Sequence, residues 1–285
     1  MYYNKKEQYA SWISYFLRRL RKIIGLSLNQ EKINNKIINR KKIASQYIQQ
    51  ILSLPNERSY YYANFNQVSY KRELTDPKLI AYYLTQYHPI QENDEWWGRG
   101  TTEWNNVSKA VPQYVGHYQP RLPSELGYYD LRVKDNFFRQ IELAKCYGIY
   151  GFAFYYYWFD GRRLLERPFN DFLENNDLNF PFCICWANES STRRFDGSCG
   201  EVLVFQSDTP ESYRNFIHDT VYLFNDYRYI RCNGRPVIII YRPSFVPDCL
   251  NTLEYWRQYC QKICNNNPFI IGVKEQKRDG NLIDM

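Results

Sequence analysis

Five short apolar runs recur from residue 79 onward and constrain the fold more than any other feature of the chain. They are LIAYYLT (79–85), IYGFAFYY (149–156), PFCICW (181–186), PVIIIY (236–241) and FIIGV (269–273). Between them lie stretches whose apolar residues recur at helical spacing, near 131–147, 164–175, 210–225 and 250–264. Short strands alternating with helices make a parallel sheet with right-handed crossovers, either an open doubly wound sheet or a (β/α)8 barrel. The glycines favour the barrel. After Gly98 and Gly100, Glu103 stands where a dinucleotide-binding loop needs its third glycine. No DxD triplet occurs, which removes the metal-holding signature of one common nucleotide-sugar transferase fold. The expected architecture is α/β: a TIM-like (β/α)8 barrel, incomplete at about five βα units, preceded by N-terminal helices.

Charge separates the start of the chain from the rest. Residues 1–50 hold eleven Lys and Arg against two Glu, whereas the remaining residues sum to −2. A nearly neutral catalytic region argues against a nucleic-acid groove. Tyr9, Trp12, Ile13, Phe16, Leu17, Leu20, Ile23 and Ile24 share one helical face, and Arg18, Arg19, Arg21 and Lys22 the other. Such a helix, over residues 5–24, can lie on an anionic membrane surface without crossing it, or pack on its own protein. The division expected is a basic helical segment at 1–53, a linker at 54–78 and the partial barrel at 79–285. The eight Cys form no CxxC pair and only three His are present, so neither a metal nor a cofactor is expected. No signal peptide is visible, and reduced thiols suit a cytoplasmic protein, peripheral on the inner face of the membrane if the basic helix docks there.

In a barrel, chemistry sits on the loops that follow the strands. Polar and aromatic residues concentrate there, in QYHPIQENDEWWGRGTTEWNN after the first strand, YWFDGRRLLERP after the second, ANESSTRRFDG after the third and RPSFVPD after the fourth. The abundance of aromatic residues, at 18%, suits flat apolar ligand faces such as sugar rings. Breaking or transferring a glycosidic bond takes two flanking carboxyl groups. Glu189 is the leading catalytic candidate because it follows a buried strand by three residues; Glu103, Asp160 and Asp196 are the others. Glu189 equally fits a loop-ordering salt bridge to Arg193 or Arg194. Candidate substrate-binding residues are His88, Trp97, Glu103, Trp104, Tyr157, Trp158, Asn188, Arg193, Arg194, Asp196, Tyr241 and Arg242. Trp158 and Tyr157 are placed at a strand tip, Asn188 beside sugar hydroxyls, and the arginines near a phosphate. His88 and His117 fit acid/base work or, better, hydrogen-bonded loop anchors.

The runs YHPIQENDEWWGRGTTEWNNVSKA, GHYQPRLPSELGYYDLR, YGIYGFAFYYYWFDGRRLLERP, PFCICWANESSTRRFDG and GRPVIIIYRP resemble the glycosyltransferase WbsX family, also described as a glycoside hydrolase family 99-like domain. The resemblance covers residues 79 to about 273 and leaves out 1–78. It implies a barrel acting on a glycan or sugar donor in bacterial surface-polysaccharide assembly, of the lipopolysaccharide O-antigen type. Glycosyl transfer is the first activity it implies and endo-acting hydrolysis the second. Ser190, Ser191 and Phe195 stand where the family stretch usually has Asn, Trp and Trp. A later family motif of the form N-E-W-x-E-G has no counterpart before Met285. The expectation is therefore a third one as well: a truncated, non-catalytic glycan-binding fragment, or one that depends on a second chain to complete the barrel.

Overall fold

All five apolar runs form strands of one parallel sheet in the computed structural model, which describes residues 30–53, 70–193 and 201–274. Residues 5–24, most of the 54–78 stretch, Arg194 and Asp196 lie outside the described residues. The chain divides into two units, residues 1–60 with 111–119 and residues 61–110 with 120–285. In the first, helix α1 (Gln30–Ser53) meets the 111–119 loop. Tyr47 donates to the Pro112 carbonyl, and the Gln50 amide donates to His117 O at 2.9 Å while accepting from Gly116 N. The His117 ring stacks on Tyr114 at 4.7 Å, so His117 anchors this loop.

The second unit holds the sheet. Its elements are β1 (Leu79–Tyr83), α2 (Gln91–Trp97), α3 (Glu103–Lys109), α4 (Lys134–Cys146), β2 (Ile149–Phe159), β3 (Arg162–Leu164), α5 (Arg167–Glu174), β4 (Phe182–Trp186), β5 (Ser191–Thr192), β6 (Val202–Val204), α6 (Pro210–Thr220), β7 (Arg231–Cys232), β8 (Arg235–Ile240), α7 (Cys249–Cys264) and β9 (Phe269–Gly272). The parallel neighbours run β1, β2, β4, β8, β9, which is chain order. A doubly wound sheet reverses its order at a switch point. A sheet that never reverses, with crossovers of one hand, keeps its helices on one face and curves as the arc of a barrel. The fold is thus α/β and an incomplete barrel: among the described residues β1 pairs only with β2, β9 only with β8, and the sheet does not close.

Two hairpins extend this arc beyond what the apolar runs suggest. β2 continues to Phe159 and turns back through Asp160 and Gly161 into β3, pairing Tyr157 with Leu164. β7 and β8 are joined by Asn233 and Gly234. All four turn residues have positive φ, between 47° and 87°, the geometry for which Asp-Gly and Asn-Gly are selected in two-residue hairpins. The first hairpin lies at the strand's C-terminal end and moves Trp158 from the loop into the strand.

One sheet face packs on the helices through aromatic rings. Phe154 meets Phe169 and Phe172 of α5, each at 5.0 Å. Trp186 stacks on Phe216 of α6 at 3.8 Å and lies 6.2 Å from Trp256 of α7. All six rings are almost wholly buried, and truncating any one should cost roughly 3–5 kcal/mol. Gly151 is required where β2 passes the next crossover: a Cβ there would stand 2.5 Å from Pro181 O.

A buried cation closes the same layer from below. Arg228 lies between the Phe172 and Phe182 rings and donates to the carbonyls of Phe172, Leu173, Asn175 and Leu178, capping the chain where α5 ends. Its charge is paired with Asp226 at 2.7 Å. Burial pushes the Asp226 carboxyl up, but hydrogen bonds from the Arg228 side chain and backbone win and hold it below the usual range. Arg228→Ala strands Asp226 and four carbonyls, and should lower the unfolding free energy by about 3–5 kcal/mol in urea titration. Lys at this position should recover only part, since one ammonium cannot reach a fork's partners. Because the folded Asp226 value is depressed, its stabilisation is present above the ordinary carboxylate range and is lost as pH falls through and below it. Asp226→Asn should flatten that acid limb in a stability-versus-pH series.

Candidate functional site

Strand alternation gives the second sheet face a different chemistry. While Phe152, Phe154 and Tyr156 face the helices, the intervening positions of β2 bring Tyr155 to 5.5 Å from Tyr82, 6.2 Å from Tyr157 and 5.7 Å from Tyr241. These four rings belong to β1, β2 and the residue after β8, so the sheet assembles them from distant segments at the C-terminal ends of its strands. None of the four hydroxyls makes a hydrogen bond among the described residues. Burial pushes the Tyr155 phenol up to about 12, with the neighbouring Cys185, Tyr241 and Tyr82 adding to the effect, so it remains an O–H donor at neutral pH. Cys183 and Cys185 lie beneath on β4, buried, and burial pushes Cys185 up to about 12. Thiols so protonated are poor nucleophiles.

The loops after β4 and β8 are joined by Asn188. Its Oδ1 accepts from Arg242 N at 2.7 Å and its Nδ2 donates to Arg242 O at 2.8 Å, which continues the β4–β8 ladder with a side chain in place of a strand. The second amide proton goes to the Tyr213 hydroxyl at 2.9 Å, and Asn188 is fully buried. Both its donors are spent on the protein, so the expected sugar contact is corrected to a brace. The brace fixes Arg242, whose Nε lies 3.0 Å from Glu189 Oε2. Glu189 thus forms an ion pair with Arg242, a partner from the loop after β8.

Arg193 instead ties down the loop that follows β1. It donates to Trp96 O at 3.2 Å, sits 5.1 Å from the Trp97 ring and pairs with Glu201 at 2.9 Å. Trp97 is consequently half-buried under a guanidinium. Trp104 is pinned too: its indole N–H donates to Tyr129 O at 2.8 Å, and its ring lies 4.5 Å from Tyr87 and 4.9 Å from Tyr129. Thr102 caps α3 with a reciprocal bond to Asn105 and so places Glu103 at the first helical position. Burial pushes Glu103 above the usual carboxylate range, against the hydrogen bond from Asn106.

Two further expectations change. Trp158 is wholly buried on the helix side, its indole N–H donating to Asp219 at 2.9 Å and its ring meeting Trp186 edge-on at 5.7 Å. The strand tip lies beyond Trp158 because β2 is three residues longer than its apolar run. His88 is buried and bonded through Nδ1 to Thr85 O at 2.7 Å. A carbonyl only accepts, so Nδ1 carries the proton and the ring anchors the turn after β1. Burial lowers the His88 value despite that bond. Tyr82 and Tyr155, absent from the sequence-based candidates, lie on the same face as Tyr157 and Tyr241, and period-two counting from Tyr157 points to Tyr155.

Among the described residues no group of three or more His, Cys, Asp and Glu side chains is placed to hold a metal ion, and no helix is long and apolar enough to cross a membrane.

With His88 buried and neutral in the fold, stability should decline as pH drops from the ordinary histidine value toward its lower folded value, and level off below. His88→Gln should remove that limb when unfolding midpoints are compared between pH 7 and pH 5.

Known proteins bear on this geometry in three ways. Two uncharacterized WxcX proteins, from the B100 and ATCC 33913 strains of Xanthomonas campestris pv. campestris, are each 45% identical over 183 residues, covering 64% of this chain and 26% of theirs. The chain therefore spans about a quarter of the length of those relatives. Among solved structures, the GH99 endo-alpha-mannosidase of Bacteroides thetaiotaomicron aligns at 14% identity and a TM-score of 0.44, over 70% of this chain and 55% of that one. A glycoside hydrolase-like protein aligns at 18% identity and a TM-score of 0.39, over 53% and 46%. Residues 79–285 match the family model described as Glycosyltransferase WbsX, and on that match, which takes in the whole sheet and its loops, the chain belongs to the WbsX glycosyltransferase family.

Proposed function

We propose that the tyrosine-lined face binds a neutral glycan and that the domain transfers a sugar to an acceptor in surface-polysaccharide assembly. The observation that carries this reading is the group of four phenols, Tyr82, Tyr155, Tyr157 and Tyr241, gathered on one face with unengaged hydroxyls. Ring faces stack on the C–H faces of a pyranose while phenolic O–H groups meet its hydroxyls. The Arg242–Glu189 pair beside them offers both a donor and an acceptor at the edge of that surface. Family membership supports carbohydrate as the substrate class.

Binding to a panel of neutral hexose oligosaccharides, followed by calorimetry, tests the platform. Tyr155→Ala and Tyr241→Ala should each weaken affinity about fivefold or more, the equivalent of roughly 1 kcal/mol of ring contact. Trp158→Phe should lower stability and leave affinity intact. Unchanged affinity in both tyrosine variants would remove the platform. Mass spectrometry of products from nucleotide sugars, run beside oligosaccharide cleavage, separates transfer from hydrolysis.

Two partners complete the reading. The inner face carries Tyr82 at 52% and Ile271 at 37% exposure on the strands at either end of the arc. Unpaired edges of this kind pair with further strands, so we propose that in the 285-residue chain they associate with a second chain. Light scattering of the 285-residue protein should show an assembly larger than the monomer. We propose that the basic residues of the 5–24 segment contact an anionic bilayer on the cytoplasmic side: sedimentation with phosphatidylserine vesicles should occur at low salt and weaken as salt rises.

A further inference from the structure

Arg242 ties the loop after β4 to the tyrosine face. Its guanidinium carbon lies 4.8 Å from the centre of the Tyr241 ring, and that ring stands 5.7 Å from Tyr155. On its other side, Nε is 3.0 Å from Glu189 Oε2. A line of contacts therefore runs from the carboxylate through the guanidinium to the phenols. The Arg242 and Glu189 side chains are 29% and 24% exposed, so a ligand resting on the rings can reach both. Ion pairs at a surface usually lose much of their worth to the freedom of two long side chains. Here the backbone on either side is held, because Asn188, next to Glu189 in the chain, exchanges bonds with Arg242 N and O at 2.7 and 2.8 Å. Donor and acceptor are presented together before any ligand arrives, which lowers the cost of binding one.

The pair's chemistry narrows what that ligand carries. A guanidinium only donates and a carboxylate only accepts. An anionic ligand would gain from Arg242 and lose to Glu189, a cationic one the reverse, so neither charge is favoured. A hydroxyl serves both partners, and two neighbouring hydroxyls fit the pair better than one: the gauche oxygens of a vicinal diol stand about one hydrogen-bond length apart, as do Nε and Oε2. Hydrogen bonds to charged groups are also the strong ones. Resting on the glycan-binding reading above, we propose that Glu189 and Arg242 read a vicinal diol of the sugar. One hydroxyl donates to the Glu189 carboxylate and its neighbour accepts from the Arg242 guanidinium, while the ring that bears them lies against Tyr155 and Tyr241. Sugars are then distinguished at two adjacent carbons, and hydroxyls elsewhere on the ring count for little.

The test uses the full chain and the methyl glycosides of glucose, galactose and mannose in both anomers, each with its 2-, 3-, 4- and 6-deoxy forms, titrated by ligand-observed NMR. With the parent chain, removing either of two adjacent ring hydroxyls should weaken binding about tenfold, the range of a hydrogen bond to a charged group, and removing any other should change it by about twofold or less. Glu189→Gln keeps the shape of the side chain and an oxygen for Arg242. In that variant the cost of losing one of the two hydroxyls should fall to about twofold or less while the cost of losing its neighbour persists. Tyr155→Ala should weaken the whole series by a common factor. Sensitivity at carbons that are not adjacent, sensitivity at none, or costs unchanged in Glu189→Gln each overturn the diol site and leave the tyrosine face in place. The parent series decides by itself if Glu189→Gln does not fold. A chain that binds the oligosaccharide panel but none of the methyl glycosides also overturns the diol site alone, and one that binds neither ends both readings.

Discussion

The two-sidedness of β2 and β4 is the constraint on which the rest of the molecule depends. Successive residues of a strand face opposite ways, and here the two sets differ in kind: Phe, Trp, Ile and the single Tyr156 on the helix side, Ala153, Tyr155, Tyr157 and two Cys on the other. A slip of β2 by one residue would send Phe154 to the inner face and bring Tyr155 and Tyr157 against the helices, and a slip of β4 would exchange Trp186 with its Cys neighbours in the same way. The stack of Trp186 on Phe216 and the packing of Phe154 against α5 therefore select the register. The tyrosine surface follows as its complement. Core packing and the composition of the tyrosine face are set together by one alignment.

Beyond the strand ends, polar side chains take over the work of the backbone. Asn188 makes with Arg242 the two bonds that a further ladder step would have made, so the arrangement stays rigid where the sheet stops. That rigidity fixes the arginine whose guanidinium holds Glu189. In the loop after β1, the Trp96 carbonyl accepts from Arg193 and the Trp104 indole donates to the Tyr129 carbonyl. Among the described residues, two arginines at the mouth of the arc are thus matched by carboxylates of the protein itself.

The strands and their order were legible because each apolar run is short, dense and separated from the next by a helical pattern. Turn chemistry is as legible in principle: Asp160–Gly161 and Asn233–Gly234 are the dipeptides that two-residue hairpins select. Reading the first would have kept Trp158 inside β2. Side-chain roles were harder to see because they depend on tertiary partners. The brace made by Asn188 depends on a residue 54 positions later, and the Arg228 cap on carbonyls about 50 positions earlier. Neither spacing leaves a local pattern. Glu103 and Glu189 were recognisable as carboxylates after strands, but their different surroundings arise only when aromatic residues of several segments converge.

Chain-ordered strands also bear on how the molecule is made. Each parallel strand finds its partner in the strand synthesised immediately before it, so the arc can lengthen one crossover at a time as the chain leaves the ribosome, with the newest strand as its growing edge. Contacts between consecutive units keep loop-closure costs modest. The Arg228 cap enters only after β4 has been made, because its guanidinium reaches back to the end of α5 and its own carbonyl receives Phe182 N. It locks a unit that has already formed. During synthesis, then, the exposed edge moves along the molecule from β1 toward β9, and each helix that folds down behind it covers the apolar face of the strand just laid.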